Sequence, residues 1–393
     1  MSRRAFWLTF FGFSVLYRLF VFPNALEGLS LTSLLSVVRG SPTSFASRAY
    51  LPIDSATYLQ LAAAPLRSIL ALPTSSAPNL ALFNNVLPLL IGKFALVISP
   101  ARPLLFVAAL NHAAFVWTIA HYRAICRYYK VSVERFLPLL MLNPLILFSM
   151  YTLNKEVLGL FIAGALVRYA LEGRRVSFSV MLLIALLTRN VFFIFGLILL
   201  GRRLIFRTRP YVMLTLAALV VPIVLWATHN APLGNEFGSL DLLTTALNQQ
   251  TSSVLVWAFN VSRVPFGYIV TYPVVTAINL LSPLLNPQYY AEYVNGFNWS
   301  QAALQCSSLA FAGILVATTK WTSWRSLLQI APLRLAFAIT LFMSAYPLSQ
   351  HRYLLPFYPL VALGYLVARS TRERFIRASL TPSPQASGRA LLT

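Results

Sequence analysis

Runs of about 17 to 20 apolar residues recur along this chain, the length that an α-helix needs to cross the hydrocarbon layer of a bilayer. Short clusters of arginine and lysine separate the runs. The positive-inside rule assigns such clusters to the cytoplasm. The pattern therefore predicts an all-α polytopic membrane protein with both termini cytoplasmic.

An even number of crossings between successive basic clusters gives about ten transmembrane helices, plus interfacial or re-entrant helices. The full crossings are predicted over residues 5–22, 104–121, 136–153, 157–171, 211–228, 303–319, 328–346 and 354–368. The pattern leaves open whether 79–98 and 254–285 also cross, and the first of these is interpreted as an interfacial or re-entrant helix.

The stretch VSFSVMLLIALLTRNVFFIFGLILLGRR has basic residues at both ends and the polar pair Arg189 and Asn190 in its middle. One crossing would place a basic cluster on the wrong face. Two short helices that meet at Arg189 satisfy both ends, and broken helices at membrane depth are tolerated where they line a cavity. Arg189 is therefore expected at the floor of an outward-facing cavity.

These assignments divide the chain into four parts. Residues 1–228 form a transmembrane module with a long first outer loop at 23–103, and 229–302 form a second outer loop. Residues 303–368 form the last transmembrane helices, and 369–393 a basic cytoplasmic tail.

The net charge of +22, from 31 basic and 9 acidic residues, would indicate nucleic acid as the partner of a soluble protein. Here the basic clusters follow the predicted membrane topology, so nucleic acid is not expected as a partner. Cys126 and Cys306 lack the spacing of a metal or redox pair. No metal site, phosphate-binding glycine loop or serine nucleophile motif occurs in the sequence.

Two acids of the outer loops are candidates for chemistry. Asp54, in LPIDSATYLQ, is either a helix N-cap or a general base for an attacking hydroxyl. Glu156, next to Lys155 in the turn TLNKEV, forms either a solvated ion pair at a helix start or an orienting carboxylate beside a phosphate contact. Both interpretations stay open for each acid.

Several basic residues are predicted to lie on the outer face, among them Lys155, Arg189 and Arg352. These residues suit an anionic substrate such as a phosphate or diphosphate. Arg189 is either an anion contact or an arginine extended toward the headgroups. His351, Arg352 and Tyr353 form either a second anion contact or part of an interfacial aromatic belt.

The order of these elements resembles the GT-C superfamily of integral-membrane glycosyltransferases, including the related polymerases of bacterial O-antigens and exopolysaccharides. The resemblance covers about 1–228 and the final helix. It is carried by the first-loop aspartate ahead of a tyrosine and by five short stretches: HYRAICRYY, LNPL, NKE, LLTRNVFF and HRYLLPFYPLVALG.

The resemblance implies roles for particular residues. Asp54 is then the catalytic base, or orients the acceptor, and Glu156 helps to hold the acceptor or a cation. The phosphate of a polyprenyl-linked donor is then held by Lys155, Arg189, Arg352 and His351, while donor or acceptor contacts come from Tyr58, Asn190 and Tyr353. Family members often carry an acidic pair in these loops, whereas this chain has single acids, so no metal or other cofactor is expected.

The resemblance further implies a bacterial inner-membrane enzyme of surface-polysaccharide synthesis with a periplasmic active site. Its partners are a polyprenyl-phosphate- or diphosphate-linked sugar, a glycan or lipid-linked acceptor and the bilayer. A repeat-unit polymerase is the alternative. A flippase or transporter of lipid-linked glycans is a second alternative, although the two halves show no transporter-type repeat.

Overall fold

A computed structural model describes residues 3–21, 53–63, 86–153, 155–201, 299–344 and 351–380. Every regular element within these ranges is helical, and none is a strand. The prediction of an all-α fold is therefore confirmed for the described residues. The predicted crossing over 211–228, the segment 254–285 and the end of the basic tail lie outside them.

The helices before residue 201 are α1 (Arg3–Val21), α2 (Ile53–Ala63), α3 (Val86–Ile98), α4 (Pro103–Tyr128), α5 (Val133–Met141), α6 (Leu145–Ser149), α7 (Lys155–Glu172), α8 (Arg175–Thr188) and α9 (Asn190–Leu200). Those that follow are α10 (Trp299–Thr319), α11 (Trp324–Leu327), α12 (Ala331–Ser344), the 3₁₀ helix η1 (His351–Phe357) and α13 (Tyr358–Leu380).

Two of the described helical segments, Pro103–Tyr128 and Leu354–Ile376, are long and apolar enough to cross a membrane. Shorter apolar helices of 10–17 residues accompany them. One of these is α3, which lies within 79–98, the segment whose crossing the sequence left open. The 13 residues of α3 measure about 20 Å, which is less than the thickness of the hydrocarbon layer. The described residues thus contain two segments of spanning length, against about ten predicted crossings.

Helix α7 lies at the centre of the bundle. It packs against α4, α8, α9 and η1, and its side chains are buried from Val157 to Leu160 and from Ile162 to Val167. A helix that is apolar all round is buried on all sides. Gly164 lets α4 approach closely, because a Cβ atom at this position would lie 3.0 Å from the Tyr122 ring.

The single helix expected over 136–153 is instead two short helices, α5 and α6, followed by a non-helical segment at 150–153. Pro138 lies inside α5, and Pro144 immediately precedes α6. The side chain of Asn143 accepts a hydrogen bond from the Leu145 N–H at 3.1 Å, which begins the second helix. The prolines remove backbone donors that a continuous helix would need.

The predicted pair of short helices that meet at Arg189 is confirmed. Helix α8 ends at Thr188, Arg189 is extended with φ −168° and ψ 133°, and α9 begins at Asn190. Leu182 packs against Gly196, and both lie seven residues from Arg189. The two helices therefore fold back on each other as an antiparallel hairpin.

Ion pairs and hydrogen bonds connect the end of α13 to residues 130–135. Arg135 forms an ion pair with Glu373 at 3.4 Å, and Arg374 donates a hydrogen bond to the carbonyl of Lys130 at 3.0 Å. The basic segments at 130–135 and 369–374 thus lie together, and we call this region the basic end.

Candidate functional site

Helix α2, which carries the first candidate acid, lies beside the start of α7. The Nζ atom of Lys155 is 5.7 Å from the centre of the Tyr58 ring, within the range of a cation–π contact. Helix α2 is held there by α3, because a Cβ atom at Gly92 would lie 3.0 Å from both Ala62 and Leu153. Two residues that the sequence predicts for one site are therefore in contact.

Asp54 is the second residue of α2, which begins at Ile53. It thus lies within the first turn of the helix and not at the N-cap position, which is the residue before Ile53, so the N-cap interpretation of Asp54 is wrong. Asp54 precedes Tyr58 by four residues, so the two positions share a helix face. The side chain of Asp54 lies outside the described part of the structure.

Glu156 is the second residue of α7 and is only 4% exposed. The interpretation of Lys155 and Glu156 as a solvated pair is therefore wrong, since the carboxylate is buried and Lys155 is half-buried. A carboxylate in the first turn of a helix is favoured by the helix dipole. Burial of a charged group is costly unless other groups compensate it, which makes the position a candidate for function.

The α8–α9 hairpin reaches the same region through its tip. The Phe192 N–H donates a hydrogen bond to the Arg189 carbonyl at 3.0 Å, and the Phe192 ring lies against Gly159 of α7. Arg189 is half-buried at this tip. Asn190 begins α9, but its side chain lies outside the described part.

The 3₁₀ helix η1 covers the same turn of α7 from another side. A Cβ atom at Gly159 would lie 2.7 Å from Cγ of Pro356, and the ring of Phe357 is 4.9 Å from that of Phe195. The backbone of His351, Arg352 and Tyr353 forms the first turn of η1, and their side chains lie outside the described part. Helix α2, the hairpin tip at Arg189 and η1 thus all lie beside the first turns of α7. We call the region where they meet the candidate site.

The segment that leads into the candidate site is supported by a side chain that the sequence analysis missed. The Nδ2 atom of Asn111, buried in α4, lies 3.3, 3.1 and 2.9 Å from the carbonyl oxygens of Ser149, Met150 and Thr152. These bonds satisfy backbone acceptors that the end of α6 leaves open. The only sequence indication was a polar residue within an apolar run.

A second polar group holds the same segment to α1. The Ser14 hydroxyl lies 2.7 Å from Nε2 of His112 and 2.7 Å from the Tyr151 hydroxyl. The Nδ1 atom of His112 lies 2.7 Å from the carbonyl of Ala108. A carbonyl oxygen only accepts, so Nδ1–H donates to Ala108, and His112 serves as a structural link between α4 and α1. Asn111 and this group together fix residues 149–152 ahead of Lys155.

The described ranges contain no group of three or more His, Cys, Asp or Glu residues that could hold a metal ion. Comparison with protein-family models, with curated proteins and with solved structures gives no match for this chain. The function is therefore argued from the site alone. That site offers a lysine next to a phenol, a buried carboxylate one residue on, and an arginine at the adjoining hairpin tip.

Proposed function

We propose that this chain is a membrane glycosyltransferase of the GT-C type. It transfers a sugar or glycan from a polyprenyl-(di)phosphate-linked donor to a hydroxyl acceptor. The observation that carries the proposal is the convergence of α2, the Arg189 tip and η1 on the first turns of α7. These segments are distant in sequence, and each carries charged residues that suit a phosphate-linked donor or its acceptor.

The surface of the helices supports a location in the bilayer. Large apolar side chains are exposed on several of them, with 76% exposure for Leu8, 70% for Val97 and 62% for Trp117. Exposed apolar surface on this scale is typical of contact with lipid or protein. Together with the two segments of spanning length, it supports a membrane location. Within that location we propose a multi-pass protein of the bacterial inner membrane with about ten crossings.

The separation of charge supports the orientation within this proposal. The basic end gathers Lys130, Arg135 and Arg374, as the positive-inside rule requires of a cytoplasmic face. Helix α13 begins next to the candidate site and runs to the basic end. The candidate site then faces the periplasm, where the acceptor and the lipid-linked donor meet.

In the proposed mechanism, Asp54 takes the proton from the acceptor hydroxyl as its oxygen attacks the anomeric carbon of the donor. A new glycosidic C–O bond forms while the bond between that carbon and the phosphate oxygen breaks. The leaving phosphate retains the electron pair and is stabilised by Lys155, Arg189 and Arg352. Glu156, buried at the start of α7, orients the acceptor or the lysine beside it.

The proposal is tested by complementation of a bacterial strain that lacks this chain. Asp54→Asn removes the carboxylate with almost no change in volume, and we expect loss of surface polysaccharide on gels at a normal level of membrane protein. Glu134→Gln is the matched control, because Glu134 is exposed in the first turn of α5 and lies outside the candidate site. Normal glycan in the Asp54→Asn strain would refute the assignment of the base.

The same variant strain separates the alternatives. A single unpolymerised repeat unit in the variant strain would indicate the repeat-unit polymerase. A lipid-linked precursor that accumulates on the cytoplasmic leaflet would indicate a flippase, and loss of one sugar would indicate a single-sugar transferase. Lys155→Met, compared with Lys320→Met, extends the test to the phosphate contact, because exposed Lys320 lies at the end of α10.

A further inference from the structure

A small cleft opens at the basic end, away from the candidate site. It lies between the loop that follows α4 and the second half of α13, and its volume is about 190 Å³. Its polar lining is Lys130, Ser132, Arg135, Ser370, Glu373 and Arg374. The cleft thus combines three cationic side chains and two hydroxyls with one carboxylate.

The carboxylate is already engaged by its neighbours. Glu373 pairs with Arg369 at 2.7 Å, outside the lining, and with Arg135 at 3.4 Å. Arg374 donates one hydrogen bond to the carbonyl of Lys130, which fixes the guanidinium beside the loop. Positive charge is therefore in excess within the cleft, and hydroxyl donors from Ser132 and Ser370 lie next to it. Lysine, arginine and hydroxyl groups around a small concavity suit the oxygens of a phosphate group.

Lys130 occupies a backbone conformation that favours glycine. It has φ +55°, the Val131 N–H donates to the Cys126 carbonyl, and the Lys130 N–H donates to the Arg127 carbonyl. This is the Schellman ending of a helix, in which the left-handed residue is usually glycine. Helix α7 ends in the usual way, with Gly173 at φ +72°. A lysine in this position is strained, and strain of this kind is concentrated at functional positions.

We propose that this cleft binds the phosphate of an anionic phospholipid headgroup, an inference that rests on the proposed membrane location but not on the glycosyltransferase activity. The cleft lies near the end of the spanning-length segment Leu354–Ile376, where it would meet the headgroup layer. Basic residues adjacent to a spanning helix attract anionic lipids. Lys130 supplies the side chain that a glycine at the same place would lack.

The test uses the full chain purified in neutral detergent, with thermal unfolding measured before and after addition of phosphatidylglycerol. Phosphatidylcholine and inorganic phosphate are added in parallel. The informative variant is Lys130→Gly, which removes the ammonium and also relieves the left-handed strain, so the unfolding temperature without lipid should not fall. Arg123→Gln is the control, because it removes one charge from the exposed surface of α4 outside the cleft.

We expect phosphatidylglycerol to raise the unfolding temperature of the wild type and of Arg123→Gln. The apparent affinity of Lys130→Gly for the lipid should fall about fivefold, because Lys130 lines the cleft, whereas Arg123→Gln should keep the wild-type affinity, because its charge lies outside the cleft. An equal rise with inorganic phosphate would support the phosphate site but assign its ligand to solution. Equal rises with phosphatidylcholine, or unchanged lipid affinity in Lys130→Gly, would overturn the proposal.

Discussion

Replacement of Asn111 by leucine tests whether one buried amide supports the approach to the candidate site. Leucine has a similar size and keeps α4 helical, but it donates no hydrogen bond. The segment 149–152 would lose the donor that its three carbonyl oxygens share. Because this segment leads directly into Lys155, we expect the change to weaken both the fold and the site.

The magnitude follows from the contacts of each carbonyl. The Ser149 carbonyl also accepts from the Thr152 hydroxyl at 3.1 Å, so it keeps a donor in the variant. The carbonyls of Met150 and Thr152 therefore lose their Asn111 donor. An amide NH₂ has two N–H groups, which is enough to donate one hydrogen bond to each of these carbonyls. A buried acceptor left unsatisfied costs about 1–3 kcal/mol. We therefore expect a loss of about 2–6 kcal/mol. For a chain of 393 residues this corresponds to an unfolding temperature lower by about 2–7 °C.

The assay is thermal unfolding in detergent, read as the fraction of monodisperse protein that remains after heating. Thr118→Val is the matched control. Thr118 is equally buried in α4, but its hydroxyl donates to the Ala114 carbonyl within the same helix and not to the segment 149–152. The control should lower the unfolding temperature by about 2 °C or less. If Asn111→Leu behaves like Thr118→Val, the supporting role of the amide is refuted.

Two further predictions concern packing and topology. Gly159→Ala should lower the unfolding temperature, because its Cβ atom would lie 2.7 Å from Pro356. Gly313→Ala should raise it slightly, since no atom of the described residues lies within 4 Å of the added Cβ. Equal effects of the two changes would contradict the packing described. The topology is tested in a chain without native cysteines, where Ala101 and Arg174 are exposed and are predicted to lie on opposite faces. A membrane-impermeant maleimide should label Ala101→Cys in spheroplasts, but Arg174→Cys only after permeabilisation. The reverse pattern would overturn the orientation.

The hairpin at Arg189 was predictable because its causes are local. An arginine in the middle of an apolar run, with basic residues at both ends, cannot lie in one crossing helix without a large desolvation cost. The backbone extends at this residue, as the pattern indicates. The all-α class follows from the apolar runs of helix-crossing length that recur along the chain.

The break in 136–153 was missed because its cause is only partly local. Pro138 and Pro144 were visible, but a helix in a membrane can continue past proline when other groups satisfy the backbone. What stabilises the break is Asn111, 38 residues away in sequence, together with Ser14. Sequence spacing does not predict such long-range partners.

The structure brings together several of the segments that carry the predicted site residues, but the environment of their side chains could not be predicted. Lys155 and Tyr58 were selected separately, and their contact depends on α3, which holds α2 in place through Gly92. The burial of Glu156 could not be read from a turn that appears polar in sequence. The roles of Asp54, His351, Arg352, Tyr353 and Asn190 stay predictions, because their side chains lie outside the described part.

The hairpin tip at Arg189 also bears on how the chain is made. Its two arms have 14 and 11 residues and measure about 21 and 17 Å, so neither arm alone reaches across a hydrocarbon layer of about 30 Å. In the proposed membrane location, an insertion machinery that recognises one segment at a time would find each arm too short to retain. Helix α7, which both arms contact, is synthesised immediately before them. The order of the sequence thus supplies a docking partner at the moment of insertion, and moving α7 elsewhere in the gene should impair biogenesis more than function.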